Sequence, residues 1–327
     1  MAISSRLTEA LGLSVPIILA PMAGVSGGAL ASAVSVAGGF GFLAAGYLAT
    51  DDVLRELDLA GETPVGVGFI TWRALQDRST FDRVIKRRPA AIFLSFGDAT
   101  DLAPAVTQVG AKLFMQVQTV EGARAAAGQG ADVIVVQGTE AGGHGAQRSL
   151  GPLLDDIVEA DLGPIIVAAG GIGTGRALAS VLVRGAEGGL CGTAFYAATE
   201  SLAHPNAKQR ATGMDGASTE RTDLFDAARG LDWPAPWTLR AGRNHFSATW
   251  RNAAKFRQAG PHERAVFAEA LGAGNFDVAP LIVGEGVGNV RQVEPAAEIM
   301  KRMQTGAEAA LRDVSKLLRP GKDLQDD

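Results

Sequence analysis

One histidine sits inside a glycine-rich stretch, V-Q-G-T-E-A-G-G-H-G, at residues 136–145. Gly138, Gly142, Gly143 and Gly145 remove the side-chain bulk that would hold a flat ligand away from the backbone, and they admit positive φ angles. The apolar residues before them read as a buried strand, so His144 falls just past a strand's C-terminal end, where parallel α/β folds place their sites. An imidazole with a pKa near 6.5 can donate a hydrogen bond or take a proton around neutral pH. A loop histidine can also be merely solvated; its position at the strand end favours chemistry.

A second cluster consists of A-A-G-G-I-G-T-G (168–175) and C-G-T (191–193), each following an apolar run. In barrels of alternating strands and helices, the loops after the seventh and eighth strands commonly hold a phosphate on backbone N–H groups. Gly170, Gly171, Gly192 and Thr193 are the expected cradle, with the Thr193 hydroxyl as an added donor. A dinucleotide fingerprint fails here, because Arg176 stands at the third glycine position counted from Gly171. Other chemistries are poorly supplied. The four histidines, His144, His204, His245 and His262, form no H-E-x-x-H, there is no G-x-S-x-G, and Cys191 is the single cysteine, read as a small buried strand residue. Glu140, four residues before His144, is a weak candidate to orient the ring. A phosphate cradle, a glycine-lined surface and one histidine suggest a phosphate-bearing cofactor that carries most of the chemistry. Flavin mononucleotide (FMN) is the natural candidate, with its ring over the barrel mouth near His144.

The elements that must position these groups are legible as continuously apolar runs at 16–22, 39–46, 64–70, 91–97, 112–117, 133–138, 164–171 and 188–195. Strands apolar on both faces suit a parallel sheet. Alanine-rich helical segments lie between them, including 27–37, 51–59, 120–129 and 175–184. Eight such units of strand and helix predict a (β/α)₈ TIM barrel. From about Gly213 to Val290 the texture changes, and this stretch holds Trp233, Trp237 and Trp250 and two expected short helices, from Ala248 and Pro261. The reading is of a barrel formed by residues 1–212 and 291–327, binding FMN, with 213–290 as an inserted, mainly helical cap after strand eight. Its tryptophans form either a lid over the mouth or the cap's own core. A last helix begins near Pro295, with a stripe of Ile299, Met300, Met303, Ala310, Leu311, Val314, Leu317 and Leu318.

Composition fits a globular enzyme: 327 residues, 47% hydrophobic and 20% charged, with a net charge of −5. No Lys/Arg-rich run tracks a phosphate backbone or an anionic membrane, so neither nucleic acid nor a membrane is an expected partner. The N-terminus does not read as a signal peptide, and one cysteine fits a reducing compartment, so the expected location is cytoplasmic. A homodimer is compatible with the sequence.

These motifs together resemble the nitronate monooxygenases, formerly called 2-nitropropane dioxygenases. The resemblance runs through P-I-I-L-A-P-M-A-G near the start, G-T-E-A-G-G-H-G, A-A-G-G-I-G-T-G, C-G-T-A-F and the later V-G-E-G-V-G. It implies FMN contacts at Ala20, Pro21, Met22, Gln116, Gly143, Gly170, Gly171, Gly192 and Thr193, and His144 as the catalytic histidine. It also implies a reaction in which a small-molecule alkyl nitronate, such as propionate 3-nitronate, gives an electron to the flavin and O₂ completes its conversion to a carbonyl compound and nitrite. The chain departs from the family at Gly68, where many members have Asn, and at Glu285 and Gly286, where a Gln-Ser or similar pair is usual. Two rival readings stand beside it: an FMN-dependent NAD(P)H:quinone or enoyl reductase on the same fold, and a noncatalytic flavin-binding protein.

Overall fold

A computed structural model describes residues 3–317 of the chain. Among them the strands are, in chain order, β1 (Ile17–Leu19), β2 (Phe40–Ala44), β3 (Val65–Ile70), β4 (Ala91–Ser95), β5 (Lys112–Val117), β6 (Val133–Gln137), β7 (Gly143–Gly145), β8 (Ile165–Ala169), β9 (Gly188–Cys191), β10 (Thr219–Thr222) and β11 (Thr238–Gly242). β1–β6, β8 and β9 are all parallel and close into a barrel, with β9 pairing back onto β1. This is the expected TIM barrel, with β8 and β9 as its seventh and eighth strands.

Strand residues alternate between two cores, as the period of two requires. Ile18, Phe40, Phe42, Phe93, Phe114, Val133, Val135 and Val167 form one cluster inside the barrel. Their neighbours Ile17, Leu19, Leu43, Val67, Ile92, Leu94, Leu113 and Ile134 pack outward against helix residues such as Leu30, Val34, Leu153, Leu178 and Ile299. Inside, the Phe42 ring meets those of Phe93 and Phe114 edge-on at 5.3 and 5.0 Å. Burying each ring stabilises the fold by roughly 1.5–3 kcal/mol. The barrel interior is therefore a packed core, and ligand space is left only at its mouth.

After β9 the chain makes a 3₁₀ turn (Thr193–Phe195) and a helix (Pro205–Thr212), then builds a smaller unit over the mouth. That unit contains β10, the helix Leu224–Arg229, β11, and the helices His245–Trp250, Ala253–Phe256 and Pro261–Gly272. Its core is Leu224, Phe225, Leu239, Phe246, Phe256 and Phe267, and Trp250 packs edge-on against Phe256 at 5.1 Å. β10 and β11 form an antiparallel sheet whose third strand is β7, the segment that carries His144. The G-H-G triplet has no β-branched or aromatic residue to mark it as a strand, so it reads as a turn until its partner β11 is seen.

The last helix runs from Ala296 to Ser315, with Pro295 as its N-cap residue. It buries Ala296, Ile299, Met300, Met303 and Ala307, but Val314 and Leu317 are 47% and 79% exposed, which corrects the C-terminal half of the expected stripe. At 20 residues this helix outruns the helices Gly28–Val36 and Gly175–Val183 against which it packs, each nine residues long. Leu318 lies outside the described residues. No helix among them is long and apolar enough to cross a membrane.

Candidate active site at the barrel mouth

The C-terminal ends of the barrel strands open into a cavity of about 400 Å³. Ala20, Pro21 and Met22 after β1, Gln116 on β5, Gly143 and His144 on β7, Gly170 and Gly171 after β8, and Gly192 and Thr193 after β9 all line it. The residues singled out from the sequence are thus brought to one space. Tyr47, Phe96, Arg229 and Trp233 complete its wall near His144.

One side of the cavity is built from backbone. Gly170 and Gly171 have φ of +118° and +70°, conformations that L side chains rarely adopt, so the tight turn after β8 depends on glycine. The helix Gly175–Val183 follows, capped by Thr174, whose side chain accepts from the Ala177 N–H. Thr193 Oγ1 accepts from the Gly284 N–H at 2.9 Å, which leaves its hydroxyl hydrogen free to donate. On the barrel floor, Gln116 Nε2 is buried without a partner. An unsatisfied buried amide is costly, roughly 1–3 kcal/mol, and a ligand with an acceptor over the barrel would relieve it. The glycine turns, the Thr193 hydroxyl and the unmet Gln116 amide fit a planar, phosphate-bearing cofactor such as FMN.

Of the two departures from the family pattern, the one at Gly68 has a local steric explanation. A Cβ at Gly68 would lie 2.3 Å from Cβ of Pro21, so the proline occupies the space an asparagine would need. Glu285 pairs with Arg240 at 3.3 Å, and its N–H donates to the Glu140 carbonyl, while the neighbouring Gly286 lines the cavity.

The other side is built from side chains. His144 Nε2 lies 2.8 Å from Asp226 Oδ2, and the two side chains are 8% and 6% exposed. Burial holds the His144 pKa below its ordinary value, against the upward pull of Asp226, and the charges of Arg229 and Arg221 add to the depression. The contact is therefore a hydrogen bond from a neutral ring to a carboxylate. Because the carboxylate accepts, Nε2 carries the proton and Nδ1 keeps the lone pair. Trp233 stacks on the imidazole with a centroid separation of 3.4 Å and an interplanar angle of 11°.

The backbone of β7 is held as firmly as its side chain. Gln137 Nε2 donates to the His144 carbonyl at 3.0 Å, Gln118 Nε2 donates to Gln137 Oε1 at 2.9 Å, and Trp237 Nε1 donates to Gln118 Oε1 at 3.2 Å. Arg221 and Arg240 sit directly opposite each other on β10 and β11. Like charges in that register repel, and here both guanidiniums are taken up by carbonyls. Arg221 donates to the carbonyls of Thr139, Ala141, Gly143 and Thr238, and Arg240 to that of Thr139. Burial, with Arg240 nearby, lowers the Arg221 pKa to about 10.

Glu140 does not orient His144. Its carboxylate accepts from the Leu150 N–H at 3.1 Å, at the start of the helix Leu150–Glu159, and Asp226 does the orienting instead. Trp233 takes the lid position expected as one fate of the cap's tryptophans, and Trp250 the core position; Asp226 and the two arginines are not evident from sequence, where the only trace of the arginines is the strand-like alternation in T-E-R-T and T-L-R-A-G. Of the aromatics near strand ends, Phe69 lines the cavity, Trp72 packs edge-on against Trp233 at 5.5 Å, and Phe195 is core.

A closed parallel barrel with an anion-compatible glycine turn and an oriented histidine at its mouth defines a (β/α)₈ enzyme. The family model described as nitronate monooxygenase matches residues 4–68 and 62–306. A nitronate monooxygenase of Metarhizium robertsii is 33% identical, covering 94% of this chain and 96% of its own. The solved nitroalkane oxidase of Streptomyces ansochromogenes has a TM-score of 0.78 at 27% identity, covering 95% of this chain and 100% of its own. FabK of Thermotoga maritima, at 24% identity and a TM-score of 0.84 over 97% of this chain and 100% of its own, shares the fold. The chain belongs to the nitronate monooxygenase family, a family of oxidoreductases that generally use flavins, and it is an oxidoreductase.

Proposed function

We propose that the cavity binds FMN and that the protein oxidises alkyl nitronates with O₂ to a carbonyl compound and nitrite. The observation that carries the reading is the convergence of the β8 and β9 glycine turns, the unpartnered Gln116 amide and the oriented His144 on one cavity. The backbone of Gly170, Gly171 and Gly192 and the Thr193 hydroxyl would hold the phosphate. Ala20, Pro21, Met22, Gln116 and Gly143 would border the ring system. Bound there, FMN supplies the electron acceptor.

The chain's own part is to bind, orient and move a proton. Nδ1 of the neutral His144 is the lone pair that takes the α-proton of a neutral nitroalkane, and the resulting imidazolium, steadied by Asp226, donates to the nitronate oxygens. A substrate supplied as its nitronate needs no such base. Trp233 covers one face of the ring and restricts water there.

The test is the visible spectrum of the purified protein, followed by nitrite measured with an alkyl nitronate in air. A flavin spectrum with nitrite release supports the reading. Rapid anaerobic bleaching by NADH with no nitrite from the nitronate favours a reductase, and bound flavin with turnover of neither donor favours a noncatalytic binder.

A further inference from the structure

His144 must acquire a positive charge when it takes a proton, and its edge is poorly placed to support one. Burial opposes that charge most, Arg229 and Arg221 add to the opposition, and Asp226 favours it. Asp226 and Arg229 lie on the helix Leu224–Arg229 and Arg221 on β10. Tyr47, also on this wall, stays a neutral phenol because burial raises its pKa, and Arg73 lies over its ring at 5.0 Å. Asp232, next to Trp233, is exposed. What remains for the charge is the face of the imidazole, and Trp233 covers it at 3.4 Å with an interplanar angle of 11°.

The indole is built into that place. Trp233 Nε1 donates to the Tyr47 hydroxyl at 2.8 Å, which fixes its rotation over the imidazole. Phe96 and Trp72 meet the indole edge to face, at 5.1 and 5.5 Å with interplanar angles of 84° and 81°. Phe96 has φ of +64°, a strained conformation for a bulky side chain, and its carbonyl accepts from the Trp72 N–H at 3.1 Å. Such strain persists only where the surroundings hold it. Here it keeps one ring against both Trp233 and Trp237, the latter at 5.5 Å. A lid that only excludes water needs cover, and no fixed parallel approach.

We propose that Trp233 is a positioning residue whose indole face carries part of the charge His144 acquires, so that the stack makes the ring a stronger base besides drying it. The proposal rests on His144 acting as the base in the reading above. Indole offers the best π face for a cation, and the attraction grows where water is excluded. A neutral imidazole gains much less, so the stack favours the protonated form. Dry cover acts with the opposite sign, because desolvation favours the neutral ring. Weakening the π face without changing its outline therefore separates the two roles.

Tryptophan carrying one and then two ring fluorines, placed at position 233 by site-specific incorporation, makes that change. Fluorine withdraws electron density from the face and nearly preserves the shape. His144 is titrated by NMR in the purified protein with isotope-labelled histidine, its signal being told from those of His204, His245 and His262 by its loss in His144→Gln. Its proton affinity is expected to fall stepwise, reaching about threefold with two fluorines, and the acid limb of kcat/KM for 1-nitropropane is expected to move to lower pH by the same factor. An affinity that changes by less than about 1.5-fold, or that rises, overturns the proposal and leaves Trp233 as cover. If the wild type makes no nitrite from 1-nitropropane, the base reading fails, whereas the titration still decides whether the indole supports the charge.

Discussion

The two sides of the cavity are made differently. The side at β8 and β9 consists of glycine turns within a short span of the barrel, and its donors are backbone groups with the Thr193 hydroxyl added. The His144 side consists of side chains from separate segments: Asp226 is 82 residues from His144, and Gln118 is 119 from Trp237. A backbone site is fixed by the barrel strands themselves, so it needs only that no Cβ intrude. A side-chain site needs a second layer, here the β7–β11–β10 sheet with its arginines on the loop carbonyls, to keep a buried imidazole in one tautomer.

Removing the histidine should have the largest effect. His144→Ala is expected to retain flavin while nitroalkane turnover, followed as nitrite, falls by about 10²–10⁴-fold. Undiminished turnover would remove the ring from the chemistry and make the two sides equivalent.

The backbone side is probed by a matched pair at Gly171. Asp and Asn are close in size and both tolerate positive φ better than other side chains, so their difference isolates charge. Gly171→Asp should lose most of its flavin, because a carboxylate at the cradle repels the phosphate, whereas Gly171→Asn should retain more. Absorbance against total protein reads the occupancy, and equal occupancy in the pair would move the phosphate elsewhere.

Asp226→Asn sharpens the comparison further. Burial lowers the His144 pKa and Asp226 raises it, so losing the carboxylate charge lowers it again. The acid limb of kcat/KM for a neutral nitroalkane, already below the ordinary histidine value, should move to still lower pH, while the rate on the plateau falls about tenfold as the tautomer is released. A limb that moves to higher pH contradicts the assignment. The smallest effect is expected for Trp237→Phe, which removes the indole donor to Gln118 at the far end of the relay to the His144 carbonyl. A loss of only a few-fold in kcat is expected, roughly one neutral hydrogen bond, with flavin occupancy unchanged.

This contrast also explains what could be read from the sequence. The barrel strands are continuous apolar runs because both of their faces are covered, and the cradle leaves glycines where a Cβ would intrude, so both are written locally. Asp226 lies in L-F-D-A-A-R, which reads as an ordinary helix with a solvated acid, and only the chain's return through β11 turns it toward His144. Arg221 and Arg240 look like surface charges until their register places them beneath the loop carbonyls. Glu140, the acid close to His144 in sequence, is drawn off by the nearer helix N-terminus at Leu150. The stripe of the last helix is legible through Met303, half-buried at Ala310 and Leu311, and misleading at Val314 and Leu317, since periodicity does not say where the packing partner ends.

The most direct measurement is nitrite released per bound flavin by wild type and His144→Ala, with the flavin content of each read from its visible spectrum and a neutral nitroalkane as substrate. Both proteins should be yellow, with the variant's rate per flavin lower by at least about a hundredfold. A colourless wild type that takes up no added FMN, or equal rates per flavin, would contradict the account.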